Sequence, residues 1–167
     1  TGAVLTYGDL EDRSRRLAQL WGAAGLRPGD HVAIFAENRP EYFEVVWAAL
    51  RSGLYLTPVN RYLTGEEAAY IVNDCDARAL VASALLGEAV ASLLALLTDC
   101  PVRLVLGGAV EGFEPYEDGL AGHPAERAGR ARRDVHGHRQ PGPPERQHRH
   151  PQHRGGGHDG AGADRQR

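Results

Sequence analysis

The sequence predicts an α/β fold: an open, mainly parallel sheet with helices on both faces, followed by a disordered tail. Short apolar runs alternate along the chain with amphipathic helical patterns, the arrangement of strands joined by crossover helices. Each run is nearly continuous, as in strands that are covered on both faces. The apolar content then ends, because from His123 onward Val135 is the only apolar side chain larger than alanine, apart from proline.

The first helix is expected to begin after Thr6. The segment Thr6-Tyr7-Gly8-Asp9 resembles a capping box, in which the threonine hydroxyl accepts from a free amide and the acid lies near the positive end of the helix. The helical pattern continues to about Ala24, and Gly25 ends it. The predicted apolar stripe consists of Leu10, Leu17, Leu20, Trp21 and Ala24. After a turn, the run His31 to Ala36 is the first predicted strand.

A second helix and strand follow directly. Pro40 suits the first turn of a helix, where its missing N–H is not needed, and Gly53 marks the end of that helix. The predicted core face consists of Tyr42, Val45, Val46 and Ala49. The second strand is Leu54 to Val59, and Pro58 near its end indicates that the ladder of hydrogen bonds stops there.

The same order then repeats. A second capping box, Thr64 to Glu67, starts a third helix with Ala68, Ile71, Val72 and Cys75 on its core face. The remaining predicted elements are a strand at Ala79 to Ser83, a helix with its apolar face from Leu86 to Leu97, and a strand at Val102 to Gly107. Parallel strands connected in this way require right-handed crossovers.

Ligands of open parallel sheets collect beyond the carboxyl ends of the strands. Three predicted loops reach that edge: Glu37-Asn38-Arg39, Asn60-Arg61 and Ser83-Ala84. Asn38 and Asn60 are therefore the candidate cleft residues. Simpler structural roles are alternatives to ligand binding. Asn38 could serve merely as a helix cap, Arg39 could be a solvated charge, and Asn60 could serve merely to shape a turn.

Charge divides the chain into residues 1–122 and 123–167. The first part holds every aromatic residue and has nine arginines against seventeen acids, a net of −8; the second has ten arginines against five acids, a net of +5. The whole chain carries −3 and contains no lysine. We interpret 1–122 as one α/β domain and 123–167 as a disordered Arg/Pro/Gly/His-rich tail, because the tail lacks the apolar content that would offset the entropy of ordering.

Membrane and secreted classes are disfavoured. The apolar run Ala79 to Leu97 is long enough to test as a transmembrane helix, but Glu88 lies at its middle, where an acid costs about 2.5 to 3.5 kcal/mol. No secretory signal is visible, and Cys75 and Cys100 are too few for a disulfide framework. The sequence therefore predicts a cytoplasmic protein with two buried thiols and no transmembrane segment.

Four phrases in fixed order resemble one family. They are LTYGDL…RSRRLA, GLRPGDHVAI, ENRPEYFEVVWAALRSG and PVNRYLTGEE. In order and spacing they are similar to the amino-terminal subdomain of the adenylate-forming enzymes, specifically the AMP-binding acyl-CoA synthetases. The resemblance covers about Leu5 to Gly108. Because the chain opens without methionine, we expect it to begin inside a longer polypeptide and to be an amino-terminal fragment of such an enzyme.

The resemblance implies a ligase reaction. Family members use ATP and magnesium to convert a small carboxylic acid, such as a fatty acid, into an acyl-adenylate, and coenzyme A then takes the acyl group as a thioester. A Ser/Thr/Gly-rich loop ending in lysine holds the departing phosphates, and a second lysine lies on a mobile lid. Neither that loop nor any lysine occurs here. We therefore assign no catalytic residue and no metal ligand, and expect the fragment to be inactive alone, with Asn38 and Asn60 near the cleft at best.

Two other functions compete with this one: a stand-alone α/β binding module, and an interaction protein that acts through its basic tail. No P-loop or G-x-G-x-x-G segment supports a dinucleotide site. The tail arginines have no aromatic neighbours or recognisable module around them, so no specific nucleic-acid binding is predicted.

The tail has two further interpretations. The histidines at 136, 138, 148 and 150 lack cysteine, a carboxylate at ligand spacing or a fold to arrange them, which argues against a dedicated metal site. Alternatively the tail is the product of a shifted reading frame, since GC-rich codons read out of register yield chiefly Arg, Pro, Gly, Ala and His. Sequencing the gene tests this, because the idea fails if no other frame encodes a Ser/Thr/Gly loop with lysine.

Overall fold

A computed structural model describes residues 5–125, so the predicted tail lies outside the described residues apart from its first three. The helices are α1 (Tyr7–Ala23), α2 (Pro40–Ser52), α3 (Gly65–Asp74), α4 (Gly87–Leu94) and α5 (Tyr116–Ala121). The strands are β1 (His31–Phe35), β2 (Tyr55–Val59), β3 (Ala77–Ser83), β4 (Val102–Leu106) and β5 (Glu114–Pro115). The predicted alternation of helices and strands is confirmed.

The five strands form one sheet in the order β2-β1-β3-β4-β5, and each neighbouring pair is parallel. The chain moves from β1 to β2 on one side and then crosses back to β3 on the other. This reversal creates a topological switch point between β1 and β3, the place where open α/β sheets usually bind ligands. The predicted fold class is therefore correct.

The sheet separates two apolar cores. On β1, Val32 and Ile34 face one core while Ala33 and Phe35 face the other, and all four are fully buried. Helices α1, α2 and α5 cover the first core, and α3 and α4 cover the second. Because α2 packs on α1, β1 and β2, whereas α5 packs on α1 and β4, α2 lies on the β2 side of its layer.

Both predicted capping boxes are present. The Asp9 amide donates to Thr6 Oγ1 over 3.1 Å, and the Thr6 amide donates back to Asp9 Oδ2 over 3.1 Å. At α3, the Glu67 amide donates to Thr64 Oγ1 over 3.3 Å and the Thr64 amide to Glu67 Oε2 over 2.9 Å. Each box satisfies two amides that the first helical turn leaves without partners.

Strand β2 is an edge strand, and Pro58 lies within it. The ladder with β1 continues through Ile34–Pro58 to Phe35–Val59, one residue beyond the predicted stop. An edge strand accepts proline because only one of its sides pairs, so a nitrogen without hydrogen can face solvent.

Some elements differ from the prediction. The fourth helix is shorter than Leu86 to Leu97, because a 3₁₀ turn at Ala84–Leu86 precedes it and Gly87 enters it with a φ of 46°. Strand β5 has two residues and α5 has six, so neither shows a readable period and neither was predicted. On α1, Ala24 is exposed because the helix ends before it.

The core face of α2 also differs. The buried residues of this helix are Glu44, Val45, Ala48 and Ala49. Of the two other residues expected on the core face, Tyr42 is half-buried but packs against the first core, whereas Val46 is only half-buried. A carboxylate therefore occupies a core position that apolar periodicity assigned to neighbouring residues.

No helix within residues 5–125 is long and apolar enough to cross a membrane. The run Ala79 to Leu97 is divided among β3, the 3₁₀ turn and α4, with three residues beyond α4. Both cysteines are free thiols; Cys100 is buried, and burial raises its pKa to about 12, so its thiol remains protonated. Cys75 is half-buried rather than buried.

Candidate functional site

An open cleft of about 610 Å³ lies at the carboxyl ends of β1 and β2, and we call it the β1–β2 cleft. Its lining residues are Ala36, Glu37, Asn38, Tyr42, Pro58, Val59, Asn60, Arg61 and Tyr62. Asn38 follows β1 and Asn60 follows β2, so the parallel pairing of these strands brings both sequence-predicted candidates to the same opening.

The two asparagines differ in what their side chains already do. Asn60 shapes a turn, because its Oδ1 accepts the Tyr62 amide over 3.1 Å and its carbonyl accepts the Leu63 amide over 3.1 Å. Asn38 does not cap α2, since the N-cap residue is Arg39 and that cap has no side-chain hydrogen bond. The exposed Asn38 amide makes no hydrogen bond with residues 5–125, and so it is free to meet a ligand.

A single arginine lines the β1–β2 cleft. The Arg61 guanidinium stacks on the Tyr62 ring, 4.4 Å from its centroid, and donates to the Tyr62 hydroxyl. No carboxylate of the described segment lies within ion-pair distance of it. The positive charge at this opening is therefore held by an aromatic ring instead of being neutralised.

A second cleft, of about 540 Å³, lies at the switch point, and we call it the switch-point cleft. Its lining residues are Leu5, Arg13, Glu37, Arg39, Pro40, Glu41, Glu44, Leu85, Gly107 and Glu117. Leu85, which directly follows the third predicted loop, borders this cleft, whereas neither residue of that loop lines it. Ser83 itself is buried and its hydroxyl accepts the Leu85 amide over 3.3 Å, so it caps the 3₁₀ turn and lines neither cleft.

Arg39 is an ion-paired residue in the switch-point cleft, not a solvated charge. Its Nε and Nη2 donate to the two carboxylate oxygens of Glu41 over 2.9 Å each, and its Nη1 donates to Glu37 Oε1 over 3.2 Å. Its side chain is only 18% exposed. The pKa of Arg39 is raised, chiefly by its hydrogen bonds to Glu41. The same bonds are the largest cause of the lowered pKa of Glu41.

We predict that Arg39→Gln raises the pKa of Glu41 toward its ordinary value. Because the pKa of Glu41 is lowered in the folded protein, the pair stabilises the fold at pH values above the ordinary pKa of a glutamate carboxyl. This contribution is lost as the pH falls through the lowered pKa. An NMR titration of labelled glutamate and aspartate carboxyls measures the shift. Asp9, whose pKa is lowered by its bonds to Thr6, is the control and should not move. An unchanged Glu41 titration would contradict the pairing.

Arg13 forms the second charged group of this cleft and joins three helices. Its Nε donates to Glu44 Oε1 over 2.8 Å, and its Nη1 and Nη2 donate to the Glu117 carboxylate over 2.9 and 2.6 Å. The buried Tyr116 hydroxyl donates to Glu44 Oε2 over 2.9 Å. The pKa of Tyr116 is raised well above its ordinary value, mainly by burial and next by the negative charge of Glu44. The phenol therefore remains a hydrogen-bond donor.

Sequence reasoning missed this group. Glu44 and Ala48 are four residues apart and share the buried face of α2, so helical spacing alone could have indicated a carboxylate in the core. Its partners could not be found in this way, because Arg13 and Tyr116 are 31 and 72 residues from it in the chain.

The switch-point cleft is unsuited to phosphate. Its two guanidinium groups are taken by four carboxylates, those of Glu37, Glu41, Glu44 and Glu117. One of these acids, Glu41, lies in the first turn of α2, where a bound anion would have to meet free amides. Within residues 5–125 no three His, Cys, Asp or Glu side chains are grouped so that they could hold a metal ion. The paired charges of the switch-point cleft therefore do not favour a phosphate ligand there.

Comparison with known proteins agrees with the fold. Acyl-CoA ligase sidI of Aspergillus fumigatus is 33% identical over 128 residues, which are 70% of this chain and 22% of the ligase. The fatty acid–[acyl-carrier-protein] ligase ScoC of Streptomyces coeruleorubidus is 40% identical over 79 residues, 47% of this chain and 15% of that protein. The crystal structure of a long-chain-fatty-acid CoA ligase from Rhodopseudomonas palustris CGA009 superposes with a TM-score of 0.66 at 31% identity, covering 74% of this chain and 31% of that one.

The chain thus spans between about one seventh and one third of the length of these relatives. A family model described as AMP-binding enzyme matches residues 1–148, most of the chain. The order of motifs, the parallel sheet and this match agree, and the chain belongs to the AMP-binding enzyme family.

Proposed function

We propose that this chain forms the first α/β layer of an AMP-forming acyl-CoA synthetase and is inactive by itself. The complete enzyme would activate a small carboxylic acid, such as a fatty acid, with ATP and magnesium, and then transfer the acyl group to coenzyme A in the cytoplasm. In this proposal the role of residues 1–122 is architectural. Asn38 and Asn60 would lie at the edge of the substrate cleft and contribute amide hydrogen bonds.

The charge state of the switch-point cleft supports the proposed inactivity. Adenylation requires fixed positive charge where pyrophosphate departs, because charge that develops there must be met by preorganised donors. In the described residues the two arginines at the switch point are already bound by carboxylates. The remaining cleft cation, Arg61, lies two strands from β3 at the edge of the sheet. No lysine is present anywhere in the chain to replace them.

We predict that the purified 167-residue chain releases no pyrophosphate above background. The assay contains ATP, magnesium, coenzyme A and a panel of aliphatic and aromatic acids, and it measures pyrophosphate and thioester separately. A complete synthetase of the family, assayed under the same conditions, is the positive control. Turnover by the chain alone would contradict the proposal.

The rival function, a stand-alone binding module, is tested by the same protein. Equilibrium dialysis with labelled ATP should show no saturable binding. Saturable binding that is lost in Asn38→Ala and Arg61→Ala, but kept in the distant Arg27→Ala control, would favour the binding module over the proposed layer of a synthetase.

A further inference from the structure

The chain contains two cysteines, and the fold brings both to the second apolar core. Cys75 is the C-cap residue of α3, and Cys100 precedes β4 by two residues. Cys100 is a buried member of that core, and Cys75 packs against the same core from its edge. Both side chains are free thiols, and each donates to a main-chain carbonyl, Cys75 to Val72 over 3.5 Å and Cys100 to Val102 over 3.7 Å.

The segments that carry the two cysteines are joined by one side chain. Asn73 Nδ2 donates to the Leu96 carbonyl over 2.9 Å, and Asn73 Oδ1 accepts the Thr98 amide and hydroxyl over 3.1 Å each. Three hydrogen bonds therefore hold the end of α3 against the chain that enters β4. A disulfide requires main chains that approach closely, and these bonds bring the residues just before Cys75 and just before Cys100 together.

The same neighbourhood is visible in the sheet and in the surface above it. Strands β3 and β4 pair in parallel, so the residues that lead into them meet at the amino edge of the sheet. A cleft of about 380 Å³ at this edge is lined from both segments, by Asn73 and Asp76 on one side and by Thr98 and Asp99 on the other. The residues that flank the two cysteines thus share one small surface.

The two thiols differ in access to solvent. Cys75 is half-buried and can meet a reagent from solution, whereas Cys100 is buried. Burial is the main cause that raises the pKa of Cys100 to about 12, and negative charge on Asp99 and on Cys75 adds to the rise. Because the thiolate is the reactive form, Cys100 does not react first with an external oxidant. Any oxidation of this pair begins at Cys75.

We propose that Cys75 and Cys100 form a reversible intramolecular disulfide when the protein meets a small disulfide oxidant such as oxidised glutathione. The Cys75 thiolate attacks one sulfur of the oxidant, whose S–S bond breaks as a mixed disulfide forms and one glutathione thiolate leaves. Cys100 then gives its proton to solvent and attacks Cys75 Sγ, which releases the second glutathione. Two protein thiols are oxidised, and one glutathione disulfide is reduced to two thiols.

The second step is intramolecular, so a high local concentration of Cys100 offsets its small fraction of thiolate. The new bond would tie the carboxyl end of α3 to the start of β4. It would close a loop that contains β3 and α4, which restricts the unfolded chain.

The test treats the folded, reduced 167-residue chain with oxidised glutathione, quenches it with acid and measures its mass. The chain should lose two hydrogen atoms and retain no glutathione. Trypsin cleaves after Arg78, which lies between the two cysteines, so the bond should join peptides 62–78 and 79–103 until dithiothreitol separates them. A parent chain that stays unmodified, that keeps glutathione, or that forms disulfides only between two molecules overturns the proposal.

Two variants test the order of the steps. Cys100→Ala lacks the second thiol and should stop as a mixed disulfide that carries one glutathione. Cys75→Ala is the matched control and should remain unmodified while folded, but should react once it is unfolded in guanidinium chloride. Glutathione on folded Cys75→Ala, or none on Cys100→Ala, contradicts the proposed order. Far-UV circular dichroism confirms that each variant is folded, and the result on the parent chain stands without them. Mass is the readout throughout, so these outcomes are independent of the proposed function.

Discussion

Replacement of Glu44 with alanine is expected to lower the free energy of unfolding by about 1 to 3 kcal/mol or more, the cost of leaving covered donors without their acceptor. Glu44 has a side-chain exposure of 2% and binds Arg13 and the Tyr116 hydroxyl. Its loss would leave a largely covered guanidinium and a buried phenol without their shared acceptor. Urea unfolding of the full chain, followed by circular dichroism, measures the change.

Glu117→Ala is the control for this prediction. Glu117 binds the same arginine, but its side chain is 66% exposed, so its pair should contribute at most about 1 kcal/mol. Tyr116→Phe, which removes only one hydroxyl, should cost about 1 kcal/mol. If Glu44→Ala destabilised the protein no more than Glu117→Ala, the Glu44 group would not be the link among α1, α2 and α5 that its geometry indicates.

Gly65→Ala is expected to destabilise the protein by about 1 to 3 kcal/mol or more, because helices α3 and α4 meet too closely at this residue for a side chain. A Cβ there would overlap the Ser92 hydroxyl and lie 2.6 Å from the Ala89 carbonyl oxygen and 2.9 Å from the Leu93 nitrogen. Two of these atoms are backbone, so relief requires α4 to move. Thermal and urea unfolding both measure the loss.

Gly22→Ala is the matched control in α1. Nothing lies within 4 Å of the Cβ that it would add, and its φ is not positive. Because alanine loses less conformational entropy in a helix than glycine, this variant should gain about 0.5 to 1 kcal/mol. Ser92→Ala should rescue Gly65→Ala only in part, since it leaves the backbone overlaps in place. Equal effects of the two glycine substitutions would exclude close helix packing as the cause.

Local signals in the sequence were enough to predict most of the fold. Hydrogen bonds between residues three apart define both capping boxes, and the left-handed backbone at Gly53 ends α2, so these helix boundaries are encoded within a few residues. The candidate cleft residues followed from topology alone, because Asn38 and Asn60 directly follow strands that pair in parallel. Short elements such as β5 and α5 escaped prediction because their order comes from the packing of Tyr116 and Leu120 into the core.

The electrostatics of the site could not be predicted from local pattern. Arg13 and Glu117 are 104 residues apart, and nothing in the spacing of either reveals the other. A solvated charge was one alternative for Arg39, yet its neighbours Glu37 and Glu41 lie close enough in sequence to have suggested an ion pair. Periodicity predicts which face of a helix is buried, but it does not reveal which charged residues of different elements form ion pairs there.

The proline in the outermost strand has a consequence for how this molecule could polymerise. Fibrils grow when an incoming chain finds an unbroken row of amide donors on a free strand, and Pro58 removes one donor from the only five residues that β2 offers. Addition of another strand by backbone hydrogen bonding is therefore disfavoured at this edge of the sheet. Aggregation of the isolated domain would instead be driven by the exposed apolar side chains of α2. It should yield an amorphous precipitate that does not bind amyloid dyes.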